Sequence, residues 1–214
     1  MLIALFSLLA LLVVLVIADR ASAAIAENDA AGQIQSAGFP ARPSVSIKGF
    51  PFLTQVAAHD IRQVDISAGN VAAGPVEIAS LNATATGVHL NSGFNAGVID
   101  HISGSALVTF QSLAGAGSGG SGGGAGVSLA EAGPDTVKIT AGPVSEDARV
   151  TVSGNTVRVQ VINNGDLISG LLSSFGDISF TVPKLPAGMT VTGVSVTQQG
   201  LRISAAAQHT QFSQ

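Results

Sequence analysis

The first eighteen residues, MLIALFSLLALLVVLVIA, carry a single polar side chain, Ser7, and no charge before Asp19 and Arg20. A run that is apolar on every face is the pattern of a helix surrounded by lipid, not of one resting on a core. At about 1.5 Å per residue it reaches about 27 Å, close to the ~30 Å hydrocarbon layer of a bilayer, so residues 1–18 are predicted to form a membrane anchor. A cleaved signal peptide is the competing expectation. Ala21-Ser22-Ala23 fits its small-x-small cleavage pattern, but the apolar run is long for one and no positive charge precedes it. In both cases an uncharged N-terminus entering an apolar helix places residues 19–214 on the extracytoplasmic side of the cell membrane, periplasmic or extracellular.

After the leader the pattern narrows. Ala23, Ala26, Ala30, Ile34 and Ala37 recur at helical spacing, with Glu27, Asn28, Asp29, Gln33 and Gln35 on the other faces, and Gly38 and Pro40 end the helix. Beyond them the period becomes two. Val64, Ile66 and Ala68 alternate with Asp65 and Ser67, and Val157, Val159 and Val161 with Arg158 and Gln160. The same alternation returns at Val137/Ile139, Val150/Val152, Ile178/Phe180/Val182 and Leu201/Ile203/Ala205, each bounded by Gly, Pro or Asn. Ser153-Gly154-Asn155-Thr156 reads as a hairpin turn. In MTVTGVSV the apolar phase shifts at Gly193, from Met189/Val191 to Val194/Val196, which predicts a bulge that bends the strand. These elements predict an α+β fold, a helix packed on a long, curved, mainly antiparallel sheet, in one domain over residues 19–214.

Ala114–Gly126, AGAGSGGSGGGAG, has no side chain larger than Ser and is expected to be a flexible loop. It contains matches to G-x-G-x-x-G (Gly115 to Gly120) and G-x-S-x-G (Gly119 to Gly123). Neither has the strand before and helix after that a dinucleotide site or a nucleophile elbow requires, so both are accidental.

Composition narrows the chemistry. Only 10% of the residues are charged, thirteen acidic against nine basic, and no run of Lys or Arg exists to track phosphates, so nucleic acid is not an expected partner. With zero cysteines the chain has no disulfide, no thiolate metal site and no Cys nucleophile. His59, His89, His101 and His209 are scattered, without metal-ligand spacing. Glu146-Asp147 is an acidic pair, but neighbours on a strand point to opposite faces. Asn82-Ala83-Thr84 matches a glycosylation sequon on a Thr-rich strand. No metal, cofactor or catalytic role is expected.

The stretch KGFPFLTQV, Lys48 to Val56, concentrates two of the nine phenylalanines in a chain with no Trp or Tyr. An extended backbone would point Phe50 and Phe52 to the same face. Either both rings fill a corner of the core, fixed by Gly49 and Pro51, or they face a ligand.

Together with its surroundings this stretch resembles the LmeA-like phospholipid-binding family of actinobacterial cell-envelope proteins. The resemblance begins with the leader running into Ala18-Asp19-Arg20, continues through Ala26-Glu27 and Ile34-Gln35, and is most specific at SVSIKGFPFLTQV. It returns in VPKLPAGMTVTGVSVTQQGLRISA, Val182 to Ala205, while His59 stands where a glycine is usual and the glycine-rich loop is similar to an insertion. The resemblance implies a noncytoplasmic, membrane-associated phospholipid-binding domain similar to tubular lipid-binding proteins, with phospholipid and membrane as partners. On that basis Phe50, Phe52 and Leu53 are candidates to rim a lipid groove or dip into the bilayer. Lys48 and Arg42 are candidates to meet a lipid phosphate. The competing readings are a structural or adhesive β-rich surface domain with a filled core, and an envelope enzyme. The latter requires two or more of Asp60, Asp65, His89, His101, Asp177 and Ser residues to converge in a pocket.

Overall fold

In the computed structural model, which describes residues 2–36, 39–73, 76–117, 127–162, 178–181 and 188–213, the architecture is α+β with an N-terminal helix and antiparallel sheets. The leader and the alanine-striped segment form one continuous helix, α1 (Leu2–Ser36). There follow β1 (Ser44–Lys48), α2 (Phe52–Ala58), β2 (Asp60–Ala73), β3 (Val76–Leu90), β4 (Ala96–Thr109) and α3 (Phe110–Gly117). The remaining strands are β5 (Val127–Gly133), β6 (Thr136–Ala141), β7 (Val144–Ser153), β8 (Thr156–Val161), β9 (Ile178–Thr181), β10 (Thr190–Thr197) and β11 (Gly200–Ser213). One sheet has six strands in the order β1-β2-β3-β4-β11-β10, and the other is a five-stranded meander, β5 to β9 in sequence order.

The chain divides into two compact units. The first, Met1–Ser67, Ala83–Ile102 and Gln208–Gln214, holds α1, β1, α2 and the adjoining parts of β2, β3, β4 and β11. Here α1 packs on β1 and α2. The face it uses follows the predicted small-residue stripe, with Ala23 buried and Ala26, Ala30 and Ile34 half-buried, and it also takes in Ala31, which is buried although outside that stripe. Small side chains let a helix approach a strand closely, and Val45 of β1 is buried. Glu27 adds a polar tie by accepting the Ile47 N–H at 2.7 Å. By contrast Leu8, Leu9 and every residue from Leu11 to Ile17 are exposed. Ala37 lies outside the described residues.

The second unit, Ala68–Asn82 and Ser103–Ala207, holds the five-stranded sheet. Two-residue turns join its strands: Pro134-Asp135 between paired Gly133 and Thr136, Gly142-Pro143 between Ala141 and Val144, and Gly154-Asn155 between Ser153 and Thr156. Gly154 has φ 59°, the left-handed conformation for which glycine meets no Cβ penalty. Val137, Ile139, Ala148, Val150, Val157 and Val159 are buried, while Lys138, Asp147, Arg149, Arg158 and Gln160 between them are exposed. Glu146 and Asp147 do point apart, and Asp147 sits 3.8 Å from Lys138 across the sheet. The β10–β11 ladder shifts register between Val191 and Gly193, at the predicted bulge. β10 lies against β5 and β7, and the Val196 N–H donates to the Pro134 carbonyl at 2.8 Å. Val182 lies outside the described residues.

α3 was not expected. Ala114–Gly117, the start of the glycine-rich stretch, belongs to it, and residues 118–126 lie outside the described residues. Thr109 caps it, its Oγ1 accepting the Ser112 N–H at 3.2 Å, and Leu113 anchors it at 2% exposure. A cap and one buried leucine outweigh the poor helix propensity of glycine here.

Candidate functional site

KGFPFLTQV forms a corner between β1 and β2, and it is helical where an extended run was expected. After a cis Phe50–Pro51 peptide, α2 starts at Phe52. The two rings consequently part: Phe52 is buried at 6% exposure and Phe50 is 54% exposed.

The polar groups of the corner account for its construction. Pro51, the N-cap of α2, offers no side-chain acceptor, so the helix start needs one from elsewhere. Asp19 of α1 supplies it: its buried carboxylate accepts the Leu53 N–H at 2.8 Å through Oδ1. Through Oδ2 it holds Arg20 at 2.7 Å. Arg20 in turn donates to the Gly49 carbonyl at 3.2 Å and lies over the Phe50 ring, 5.3 Å from its centre.

Gln55 closes the other side. β1 pairs with β2 as far as Lys48 and Gln63. Past that point the Gln55 amide continues the ladder, donating to the Lys48 carbonyl at 3.3 Å and accepting the Arg62 N–H at 3.0 Å. A side-chain amide has the donor and acceptor of a peptide group, so buried Gln55 stands in for the next residue of the strand. Gly49 is constrained twice, by φ 101° and because a Cβ there would sit 2.8 Å from Gln55 Nε2. Thr54 Oγ1 donates back to the Pro51 carbonyl at 2.8 Å. His59 ends α2 in the left-handed conformation, φ 57°, the geometry that favours glycine at this position. Its ring stacks on Phe94, centres 4.7 Å apart.

Of the five candidate lipid-contact residues, Phe50 and Leu53 face outward, Leu53 at 45% exposure. Phe52 is a core residue. Lys48 is half-exposed, 3.6 Å from Asp65 and 3.1 Å from Ser46 Oγ. Arg42 is exposed and donates to the Asn28 carbonyl at 3.3 Å. Asp65 also accepts from Gln63 (2.8 Å) and Thr84 (3.0 Å). The Gln63 bond, opposed by partial burial and reinforced by Thr84 and the Lys48 charge, holds its carboxyl below the usual range.

Two residues that sequence reading left as markers of resemblance, Asp19 and Arg20, prove to organise the corner. Their only signal was position: the first charges after an apolar run, followed by a stripe of small residues. Among the candidates for catalysis, His89 lies between Asp60 (3.6 Å) and Asp100 (3.1 Å), with all three side chains about half exposed. Asp65 and His101 make none of these contacts, and Asp177 lies outside the described residues. Among the described residues no group of three or more His, Asp or Glu has metal-holding geometry.

An α+β domain continuous with a helix long and apolar enough to cross a membrane is the class that fold and corner define. Within it, the chain belongs to the LmeA-like phospholipid-binding family, whose family model matches residues 17–206. The match takes in Asp19, Arg20 and the whole Lys48–Val56 corner. No curated protein and no solved structure matches the chain.

Proposed function

We propose that the protein is a non-enzymatic, membrane-anchored phospholipid-binding module on the extracytoplasmic side of the cell membrane, where it exchanges or presents lipid in maintenance of the cell envelope. Membership of a phospholipid-binding family over residues 17–206 carries this reading. Retention of α1 as the anchor is supported by Asp19, because cleavage after Ala23 would remove the carboxylate that caps α2. Lys48 and Arg42 are the proposed phosphate contacts, on the strength of their exposed cationic ends.

The mechanism follows from energetics. Burying a sixteen-carbon acyl chain from water is worth about 12 kcal/mol at ~0.8 kcal/mol per methylene, but a bilayer buries the same chain equally well. Uptake from the membrane is nearly balanced, and a domain tethered beside the bilayer gains in encounter rate through effective concentration. Exchange, not irreversible extraction, is the expected outcome.

The test is native mass spectrometry with lipid extraction on the full chain isolated from membranes. A stoichiometric phospholipid on a chain that retains residues 1–23 is the expected result. A lipid-free protein that takes up nothing from liposomes overturns lipid binding in favour of a structural or adhesive β-rich domain. A mass lacking residues 1–23 overturns the anchor. Lys48→Gln and Arg42→Gln proteins that carry lipid as the wild type does remove those two residues from the site.

A further inference from the structure

In the Lys48–Val56 corner nearly every residue from Lys48 to Gln55 has an internal task. Lys48 pairs with Asp65, Gly49 makes room for Gln55, Pro51 precedes the helix, Phe52 fills the core, Thr54 binds back to Pro51 and Gln55 extends the ladder. Phe50 and Leu53 are the exceptions, since both turn apolar side chains outward. Arg20 holds the Phe50 ring in place without covering it, so an outward Phe and Leu beside a cation need an explanation that core packing does not supply.

Their location supplies one. Both are fastened to the Asp19–Arg20 pair, Leu53 by its amide and Phe50 by its ring. Ile17, which ends the unbroken run of exposed large apolar residues Leu11–Ile17 of α1, lies two positions before Asp19, about 3 Å along the helix axis. The headgroup region adds roughly 5–7 Å on each side of a ~30 Å hydrocarbon layer. With α1 crossing the bilayer up to Ala18, Phe50 and Leu53 therefore fall at headgroup level. The apolar run of about 27 Å is slightly short of the layer, and such mismatch draws the flanking residues toward the bilayer. Arg20, with its side chain 48% exposed, is placed to reach lipid phosphate while its stem and the Phe50 ring lie in the apolar part of the interface.

We infer that Phe50, Leu53 and Arg20 form an interfacial foot, a patch that sits in the headgroup layer of the bilayer α1 itself enters and fixes this corner against the membrane. The inference rests on the reading of α1 as a retained anchor. It is distinct from a lipid groove, because its occupant is the bilayer surface and not a bound lipid molecule.

The absence of Trp and Tyr from the chain provides the test. Phe50→Trp, Leu53→Trp and Leu12→Trp, each in the full chain, give single fluorophores, reconstituted in phosphatidylcholine vesicles containing phosphatidylglycerol. Brominated lipids serve as depth-graded quenchers and acrylamide as the aqueous one, with circular dichroism confirming the fold of each variant. Leu12→Trp is expected to be quenched by bromines deep in the acyl chains. Phe50→Trp and Leu53→Trp are expected to show blue-shifted emission, strongest quenching by bromines near the carbonyl end, and loss of most acrylamide quenching. Solvent-type emission at Phe50→Trp and Leu53→Trp, quenched by acrylamide and blind to bromine, overturns the foot while a deeply quenched Leu12→Trp leaves the anchor standing. If Leu12→Trp is also blind to bromine, anchor and foot fall together. Strong bromine quenching at Phe50→Trp that persists when the vesicle lipid is unbrominated and only lipid preloaded on the protein carries bromine assigns the ring to a groove and likewise overturns the foot.

Discussion

The five-stranded sheet and the Lys48–Val56 corner both sort side chains into inside and outside, by different means. In the sheet the sorting follows chain geometry: alternate residues of β6, β7 and β8 face opposite ways, and the apolar ones are those buried. In the corner no period operates. A helix start, a left-handed glycine and four side-chain hydrogen-bonding groups, Asp19, Arg20, Thr54 and Gln55, decide the direction of each residue, and hydrophobicity fails to predict it, since Phe50 is outside and the amide of Gln55 is inside. Where burial is set by periodicity, an exposed apolar residue is an accident of surface. Where it is set by specific contacts, an exposed apolar residue has been held there.

That contrast is tested most severely at Phe52. Truncation Phe52→Ala removes a buried ring and should cost about 3–5 kcal/mol in urea unfolding; a loss under about 1 kcal/mol breaks the assignment of Phe52 to the core. In the sheet, Ile139→Ala is expected to lose about 2–5 kcal/mol, whereas Lys138→Ala, one residue away, stays within about 0.5 kcal/mol. Equal losses at the two positions contradict the alternation. Next comes Gln55→Ala, which strands the Lys48 carbonyl and Arg62 N–H near the sheet's edge; about 1–3 kcal/mol is expected, together with faster amide exchange at Arg62.

Acid sharpens the polar face of the corner. The folded Asp65 carboxyl lies below its unfolded value, so its contribution is fully present above about pH 4 and is lost as pH falls through the folded pKa. The stability gap between wild type and Asp65→Asn is expected to be constant from neutrality to about pH 5 and to close below it. A gap that widens on acidification has the wrong sign and rejects this account. A small effect is expected at Phe50→Ser, about 0.5–1 kcal/mol, because the outward ring contributes little to folding beyond its contact with the Arg20 guanidinium. Read beside Phe52→Ala, it measures how completely the corner separates two residues that stand two apart.

What the sequence made legible follows the same division. The apolar leader, the small-residue stripe of α1, the β6–β8 strands, the turn at Gly154-Asn155 and the bulge near Gly193 all carry a period or a turn residue, and all were readable. The corner was not. KGFPFLTQV reads as extended because Pro51 and the alternating Phe50 and Phe52 favour that backbone, and the cap that turns it into a helix sits 34 residues earlier, at Asp19. α3 hid for a related reason: its cap, Thr109, is local, but its last turn is written in glycine and alanine, which pattern reading assigns to a loop. The long strands β3 and β4 carry Ser, Thr, Gly and Asn among their apolar residues and remain half-buried over much of their length, which blurs alternation. The candidate site was found through resemblance to a family, yet its organising residues emerged only from contacts between segments distant in the chain.

The 34-residue separation between Asp19 and Leu53 also sets an order of events during biogenesis. At roughly 5–20 residues per second of synthesis, the partner amide follows the aspartate by about 2–7 s. α1 leaves the ribosome first, and the corner can clasp its Asp19–Arg20 pair long before β11 is translated. The later strands then assemble on a base already fastened, first where Glu27 accepts the Ile47 N–H and then where Asp19 accepts the Leu53 N–H.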